Sequence, residues 1–193
     1  MRILSIDASS HTGWAIFQDK KLIQYGKIDV PCQDSSWPWG VMKWAEEIAE
    51  QITRLVINNS IGFNKVVIER ANSSRFRDSQ NVLDWMHFCI LKNSINDVWN
   101  DIIIYMDSSE WRKICKINLS KEQKKHNQMV SKEKRKGNKI VKVNGKRVGR
   151  LTKKHLAVFY CNENFGTTFK IKDNDIAEAI CLGWAYLTRE ENE

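Results

Sequence analysis

Short apolar segments separated by polar breaks predict three strands within the first 30 residues. The segments run from Arg2 to Ile6, from Trp14 to Phe17 and from Leu22 to Ile28. A turn of small residues separates the first two, and the polar residues 18–21 separate the second from the third. Apolar runs broken in this way are typical of antiparallel hairpins, so we expect a β-meander at the start of the chain.

Helical and strand patterns then alternate along the chain. Apolar side chains recur at helical spacing from Val41 to Ile57, with charged residues opposite. The apolar run Val66 to Ile68 is typical of an interior parallel strand, and a second helix is predicted to begin near Asp78 or Ser79. The short segment Asp101 to Met106 predicts a further strand. Two strands separated by a helix imply a parallel pair with a right-handed crossover.

The last third of the chain combines a polar segment, a hairpin signal and two helical patterns. Residues Ser120 to Lys139 are highly polar, and the sequence leaves open whether they are helical or mobile. Asn-Gly at 144–145, between short alternating segments, is the strongest short-range signal for a β-hairpin. Helical spacing resumes from Leu151 to Asn162 and again from about Asp175 to Arg189. The complete succession is that of the ribonuclease H-like fold, which predicts an α/β protein with a mixed five-stranded sheet flanked by helices.

Charge is distributed unevenly over these elements. The chain of 193 residues carries a net charge of +8, and its length fits a single domain spanning 1–193. The stretch Arg112 to Lys154 holds 17 lysines and arginines against two acids, a net charge of +15, whereas the remaining residues carry −7. We therefore expect an acidic body with a basic insertion at about 119–150 that contains the hairpin. Such a segment attracts polyanions, most commonly nucleic acid; the alternative is a solvated, flexible insertion.

Cysteine usage and hydropathy restrict the class of protein further. The five cysteines are odd in number and lie far apart, which argues against a disulfide framework or a zinc ribbon. We expect the thiols to be buried apolar residues. The sequence contains no charged-then-apolar leader and no apolar stretch approaching ~20 residues. A cytoplasmic protein without membrane association is therefore expected, or a nuclear one if its host has a nucleus.

Acidic residues stand where three predicted elements begin or end. Asp7 follows the first strand, Glu69 follows the interior parallel strand, and Asp175 with Glu178 opens the last helix. If one sheet brings these places together, the four carboxylates repel one another unless cations neutralise them. Oxygen-only sites suit Mg²⁺ or Mn²⁺, and a pair of such ions is a recurring device for phosphodiester hydrolysis. The first hypothesis is therefore a metal-dependent nuclease.

Each acidic residue also has an ordinary structural interpretation. Asp7 is able to cap a turn, as Asp-x-Ser sequences often do, and Glu69 is able to pair with the adjacent Arg70. The spacing Asp175-x-x-Glu178 is also that of a helix capping box. The same spacing places both side chains on one helix face, so it equally suits the binding of one ligand.

Four motifs, in this order, resemble those of the RuvC-like Holliday junction resolvases and more closely their phage-type relatives. The motifs are Ile6-Asp7-Ala8-Ser9 with Thr12-Gly13-Trp14-Ala15, then Val67-Ile68-Glu69, then Trp111-Arg112-Lys113, and finally Asp175-Ile176-Ala177-Glu178-Ala179-Ile180. The resemblance spans nearly the whole chain and implies two Mg²⁺ or Mn²⁺ ions per active site. It implies four catalytic, metal-binding residues: Asp7, Glu69, Asp175 and Glu178. The family more often has Asp where this chain has Glu178, and Asp173 is a candidate auxiliary ligand.

Basic and aromatic residues near these motifs and on the basic insertion are candidate DNA contacts. The set is Arg70, Arg75, Phe76, Arg77, Lys142, Lys146, Arg147, Arg150, Lys153 and Lys154. Phe76 is a candidate for stacking on an opened base, or alternatively for packing on the helix that follows. Lys153 and Lys154 correspond loosely to basic residues that approach the scissile phosphate in the family; a solvated helix start is the alternative. The hairpin and the stretch Lys132 to Arg150 are expected to reach along or into branched DNA and to bind it mainly through phosphates rather than bases.

The expected function is metal-dependent, structure-selective cleavage of Holliday or other branched DNA junctions. Because resolution requires two symmetric nicks, a two-fold homodimer is expected, and surplus apolar surface on the helix Ser79 to Asn96 is a candidate for its seam. The alternatives are a catalytically inactive DNA-binding protein of the same fold and a ribonuclease acting on RNA-DNA hybrids. Actin-like ATP-binding proteins share the fold, but they need two such domains and glycine-rich loops, whereas this chain has nine glycines.

Overall fold

A mixed sheet of five strands forms the centre of the computed structural model, which describes residues 1–58, 62–71, 77–95, 101–137, 140–143 and 146–191. The strands are β1 (Arg2–Asp7), β2 (Thr12–Gln18), β3 (Lys21–Ile28), β4 (Lys65–Glu69) and β5 (Ile103–Met106). They lie in the order β3-β2-β1-β4-β5. The meander β1 to β3 is antiparallel, whereas β4 is parallel to both β1 and β5. The predicted mixed sheet is confirmed, although its last strand begins only at Ile103, after a turn.

Helices from the described residues cover both faces of this sheet. They are α1 (Trp39–Ile57), α2 (Arg77–Ile95), α3 (Ser108–Ile114), α4 (Lys121–Arg135), α5 (Lys153–Phe165) and α6 (Asn174–Arg189). Within the polar segment whose state the sequence left open, Lys121–Arg135 form α4, which begins with a reciprocal capping box between Ser120 and Gln123. At α5, the Thr152 hydroxyl accepts a hydrogen bond from the amide of His155, so this helix starts two residues later than its apolar pattern.

The predicted basic hairpin is present between α4 and α5. Its strands are β6 (Val141–Val143) and β7 (Lys146–Val148), which pair antiparallel. Lys142 lies opposite Arg147 in this register. The Asn-Gly turn at 144–145 lies outside the described residues.

Alternating side chains divide the sheet between two cores. In β1, Leu4 and Ile6 pack with α1 and α2, whereas Ile3 faces the opposite core, formed with α3, α5 and α6. Ser5 points to the same side of the sheet as Ile3, because its hydroxyl donates a 2.7 Å hydrogen bond to the carbonyl oxygen of Ala179 in α6. Since side chains alternate with a period of two, Asp7 continues this α6-facing row. The end of β1 therefore presents its carboxylate to α6.

Gly183 allows α6 to pack closely on β1. A Cβ atom at Gly183 would lie 2.5 Å from the Ser5 hydroxyl oxygen and 2.7 Å from the Phe17 ring. Both contacts are shorter than packed atoms tolerate, so any larger residue would push the helix outwards. Close packing at Gly183 and the hydrogen bond from Ser5 together fix the height of α6 above the sheet.

The cysteines follow the sequence expectation with one exception. Cys89, Cys115, Cys161 and Cys181 are buried as free thiols. The expectation is wrong for Cys32, which is exposed in the loop between β3 and α1 and lies 3.3 Å from the carbonyl oxygen of Asp34. No helix in the described part of the chain is both long enough and apolar enough to cross a membrane.

Candidate metal centre

Three carboxylates meet at the carboxyl end of β1. Asp7 is the last residue of β1, Asp175 lies in the first turn of α6, and Glu178 follows it three residues later on the same helix face. One oxygen of each lies within 4.8 Å of the others. Two oxygens on opposite sides of an octahedral Mg²⁺ are about 4.2 Å apart, so these separations are close to those that one ion requires. The donor set, made of carboxylate oxygens alone, suits a hard divalent cation.

Glu69 approaches this group from the neighbouring strand. It is the last residue of β4 and follows the pair Ile6 and Ile68 in the parallel register of β1 and β4. Val67 faces the α6 core, so the period of two directs Glu69 to the same side. The indole N–H of Trp111 donates a 2.8 Å hydrogen bond to one of its carboxylate oxygens. This hydrogen bond orients the Glu69 side chain.

The capping-box interpretation of Asp175 and Glu178 is wrong. Helix α6 begins at Asn174, and no side chain caps its first amides. Both carboxylates are instead buried, with Asp175 6% and Glu178 4% exposed. Buried acids on one helix face need cationic or metal partners, because desolvation penalises an isolated charge.

Asp173 lies outside the carboxylate group. It ends a short 3-10 turn, Ile171–Asp173, and its carboxylate accepts a 2.8 Å hydrogen bond from the amide of Lys170. The turn after β1 likewise has its own hydrogen bonds, because the Thr12 hydroxyl donates to the carbonyl oxygen of Ser9 at 2.7 Å. Thr12 rather than Asp7 therefore closes that turn.

Burial and mutual repulsion make full ionisation of the group unfavourable. Burial, followed by the charges of Glu178, Glu69 and Asp175, raises the pKa of Asp7 well above its ordinary value. Burial also raises the pKa of Glu69, although the hydrogen bond from Trp111 opposes this shift. A bound cation would reverse both effects, because it stabilises the ionised carboxylates.

Three basic side chains partly offset the negative charge. The Lys154 ammonium lies 3.2 Å from Asp175 and 3.7 Å from Glu178. Although partial burial opposes it, the negative charges of Glu178 and Asp175 raise the pKa of Lys154. The Arg112 guanidinium lies 3.1 Å from Glu178, and Lys27 lies 3.7 Å from the second oxygen of Asp175.

Sequence reasoning gave no role to Lys27, Arg112 or Trp111. The motif Trp111-Arg112-Lys113 indicated that α3 was relevant, but not that it contacts Glu69 and Glu178. The strand register relates Lys27 to Asp7 only indirectly, since Gly13 pairs with Asp7 on one side and with Lys27 on the other. A correctly aligned meander would have placed Lys27 two strands away from Asp7.

The other candidate DNA contacts occupy different positions. Arg70 is exposed and lies 3.5 Å from the Asp107 carboxylate, and Arg77 is the exposed first residue of α2. Arg150 and Lys153 are exposed, and only Lys154 of the pair 153–154 contacts the carboxylates among the described ion pairs. Arg75 and Phe76 lie outside the described residues. Lys142, Lys146 and Arg147 belong to the two strands of the hairpin.

His11 lies beside another pair of residues rather than at the carboxylates. Its Nδ1 atom is 2.8 Å from the carboxylate of Asp29, and both side chains are exposed. Asp29 in turn lies 3.6 Å from the Lys27 ammonium. His11 is therefore connected to Asp175 through Asp29 and Lys27.

Comparison with known proteins identifies the fold. No protein-family model and no curated protein matches the chain. Among solved structures, RuvC from Thermus thermophilus in complex with Holliday junction substrate superposes with a TM-score of 0.61 at 9% identity, covering 99% of this chain and 96% of that one. A second T. thermophilus RuvC structure gives 0.60 at 10% identity, covering 100% and 97%. The chain has the RuvC fold.

A eukaryotic structure has the same fold. The yeast mitochondrial Holliday junction resolvase Ydc2 superposes with a TM-score of 0.53 at 14% identity, covering 96% of this chain and 77% of that one. At these identities the likeness concerns the RuvC fold and its ribonuclease H-like sheet. The activity of the chain has to be argued from the carboxylates and their surroundings.

Proposed function

We propose that this chain is a divalent-metal-dependent endonuclease that cuts four-way or other branched DNA junctions. The observation that carries the proposal is the meeting of Asp7, Asp175 and Glu178 within 4.8 Å, with Glu69 beside them. Of the solved structures with this fold, one contains RuvC with Holliday junction substrate and another is a resolvase by name. The basic segment Arg112 to Lys154 supplies the positive charge that a DNA substrate requires.

The four carboxylates are proposed to hold two Mg²⁺ or Mn²⁺ ions at the end of β1. Such ions supply an activated water and a stabilised leaving oxygen when bound. Trp111 fixes Glu69 in position, and Arg112 fixes Glu178. Positioning contacts of this kind maintain metal affinity even though they supply no ligand atom.

Lys154 is proposed to exchange its partners when metal and DNA bind. Its ammonium lies between the carboxylates of Asp175 and Glu178. A cation bound to these carboxylates takes over their neutralisation, so the ammonium becomes available to a phosphate oxygen of the DNA. A lysine at that position stabilises the negative charge that develops on the phosphate during cleavage.

A homodimer is proposed because two symmetric nicks require two active sites. Helix α2 supports this assignment. Trp85 stacks on Phe88 with ring centroids 5.4 Å apart, and Phe88 is 54% exposed. Leu91, one turn further along, is 37% exposed. An apolar strip on a helix that already packs on α1 with its other side is suited to a second copy of the chain.

The test is cleavage of a synthetic four-way junction, with a linear duplex, a flap, a fork and an RNA-DNA hybrid as alternative substrates. We expect the wild type to nick the junction in Mg²⁺ or Mn²⁺ and to be inactive in EDTA. Asp7→Asn should abolish nicking, because it removes a charged ligand while keeping the shape of the side chain. Asp173→Asn is the matched control and should nick normally, since asparagine retains an oxygen that accepts the Lys170 amide hydrogen bond.

Two other outcomes would assign a different function. Preferential cleavage of the RNA-DNA hybrid would indicate a ribonuclease. Junction binding without cleavage in either metal would indicate a DNA-binding protein that has kept the fold and the carboxylates but lost turnover.

A further inference from the structure

A groove runs along α4 and the segment that follows the hairpin. Its volume is about 680 Å³. The side chains that offer charge or hydrogen bonds to it are Lys124, Gln128, Ser131, Lys132, Arg135 and Arg150. Four of these six are cations, and no acidic residue of the described chain lines the groove. Because Lys124 and Arg135 are eleven residues apart on the helix, the groove is about 16 Å long.

Arg150 is held against α4 by its two neighbours. The Asn127 side chain donates to the carbonyl oxygen of Leu151 and accepts from the amide of Leu151, both at 2.7 Å. On the other side, His126 Nε2 lies 3.0 Å from the carbonyl oxygen of Gly149. Asn127 is only 8% exposed, so this connection is a buried part of the fold. The guanidinium of Arg150 therefore completes the groove from a separate segment.

The charges on α4 are sorted between its faces. The two acids of the helix, Glu122 and Glu133, lie about 140–160° around the helix axis from the centre of the groove, at 100° per residue. Glu133 pairs with Lys136 at 2.9 Å. Among the described residues, therefore, no carboxylate neutralises the cations of the groove, whereas the opposite face of α4 carries both signs of charge.

The groove also lies near the carboxylates along the chain. Arg150 is four residues from Lys154, so their Cα atoms are at most about 14 Å apart. Duplex DNA rises 3.4 Å per base pair, which makes this distance about four base pairs. A duplex with one phosphate at the carboxylates would thus bring its backbone to the groove within half a helical turn.

We propose that this groove, the α4 groove, binds the sugar-phosphate backbone of one duplex arm of the DNA. The inference rests on the proposed function for its ligand, but it concerns a site separate from the carboxylates. Lysine, arginine, glutamine and serine are side chains that contact phosphates, and such contacts set position without reading sequence. The groove therefore orients an arm relative to the active site for any base sequence.

The experiment measures junction binding with the inactive variant Asp7→Asn, so that cleavage does not enter. The groove variant adds Lys124→Ala, Lys132→Ala and Arg135→Ala. The control variant adds Lys125→Ala, Lys134→Ala and Lys136→Ala, which removes the same charge from exposed positions on α4 and at its C-cap, outside the groove. Fluorescence anisotropy over a range of NaCl concentrations gives affinity and salt dependence. All six side chains are exposed, and circular dichroism checks that both variants stay folded.

We expect the groove variant to lose at least about ten-fold in affinity and to lower the slope of log K against log salt by about two to three, one for each lost phosphate contact. The control variant should change the slope by less than about one. A second readout uses uncharged methylphosphonates three to five nucleotides from the cut. They should weaken DNA binding by the protein with an intact groove more than binding by the groove variant, because that variant lacks three of the four cations of the groove and keeps only Arg150.

Equal losses in the two variants would overturn the proposal, because they would mean non-directional attraction by total charge. Unchanged binding by the groove variant would overturn it as well. Both results are independent of whether wild-type protein cuts the junction, so the failure of the α4 groove and the failure of the proposed nuclease activity are distinguishable.

Discussion

A Cβ atom on Gly13 would lie 2.0 Å from the backbone carbonyl oxygen of Asp175. Gly13 pairs with Asp7 across β1 and β2, and Asp175 belongs to the first turn of α6. The missing side chain is what allows the start of α6 to rest on the sheet beside the end of β1. The distance between two proposed metal ligands therefore depends on a residue that supplies no ligand atom.

Gly13→Ala should consequently disturb the carboxylate group. We expect the free energy of unfolding to fall by about 1–3 kcal/mol, as is usual for overpacking. We also expect the rise in melting temperature caused by millimolar Mg²⁺ or Mn²⁺ to shrink, because α6 must shift and separate the carboxylates. Gly149→Ala is the control, since nothing lies within 4 Å of its added Cβ. A full metal-induced shift in Gly13→Ala would show that this close contact does not set the site.

The metal-free protein should become less stable as pH rises from about 4 toward neutrality. Burial and then Glu178 and Glu69 raise the pKa of Asp7, so the folded state keeps a proton that the unfolded chain releases above pH 3.8. Stability falls with pH wherever the folded state binds more protons. Glu69, whose pKa is raised mainly by burial, contributes with the same sign.

Asp7→Asn should remove most of this dependence. At neutral pH we expect the metal-free variant to be more stable than the wild type, because the neutral amide avoids both the burial of a charge and the repulsion by Glu178, Glu69 and Asp175. The stabilisation by Mg²⁺ should be lost in the same variant. Thermal unfolding in EDTA and in Mg²⁺ across pH measures both effects. A less stable Asp7→Asn protein in EDTA would contradict the repulsion described above.

Lys154→Met should lower the cleavage rate at saturating DNA by about 10- to 100-fold, because the phosphate loses the basic side chain proposed to stabilise its developing charge. Lys153→Met is a closely matched control, since the neighbouring lysine is exposed and has no described contact with the carboxylates. It should affect DNA binding more than the rate. Single-turnover cleavage separates the two quantities, and equal rate losses would indicate that only the total charge at this helix start matters.

Phe88→Glu should convert the proposed dimer into a monomer, because it places a charge within the apolar strip of α2. Phe159→Glu serves as the comparison, since Phe159 on α5 is similarly exposed, at 51% against 54% for Phe88. Analytical ultracentrifugation of the wild type and both variants measures the outcome. A monomeric wild type, or dissociation by both substitutions, would remove α2 from the proposed interface.

Local patterns predicted most of the elements correctly, because strands and helices depend on periodicity over a few residues. The meander, the interior strand β4 and the hairpin strands β6 and β7 all follow this rule. The sequence was ambiguous where the deciding contact is distant. Asp175-x-x-Glu178 fits a capping box and a ligand pair equally, and the packing of α6 on β1 buries both side chains at the end of a strand almost 170 residues away in the sequence.

The contrast between local patterns and distant contacts also explains which site residues the sequence predicted. The sequence by itself placed Asp7 and Glu69 at strand ends and concentrated a net charge of +15 in one segment, since both are properties of local order and composition. Only the tertiary structure decided that Lys154 rather than Lys153 contacts the carboxylates, and that Lys27, Arg112 and Trp111 surround them. Those contacts depend on how a helix is rotated and how high it sits above the sheet, which packing at Gly13, Gly183 and Ser5 determines.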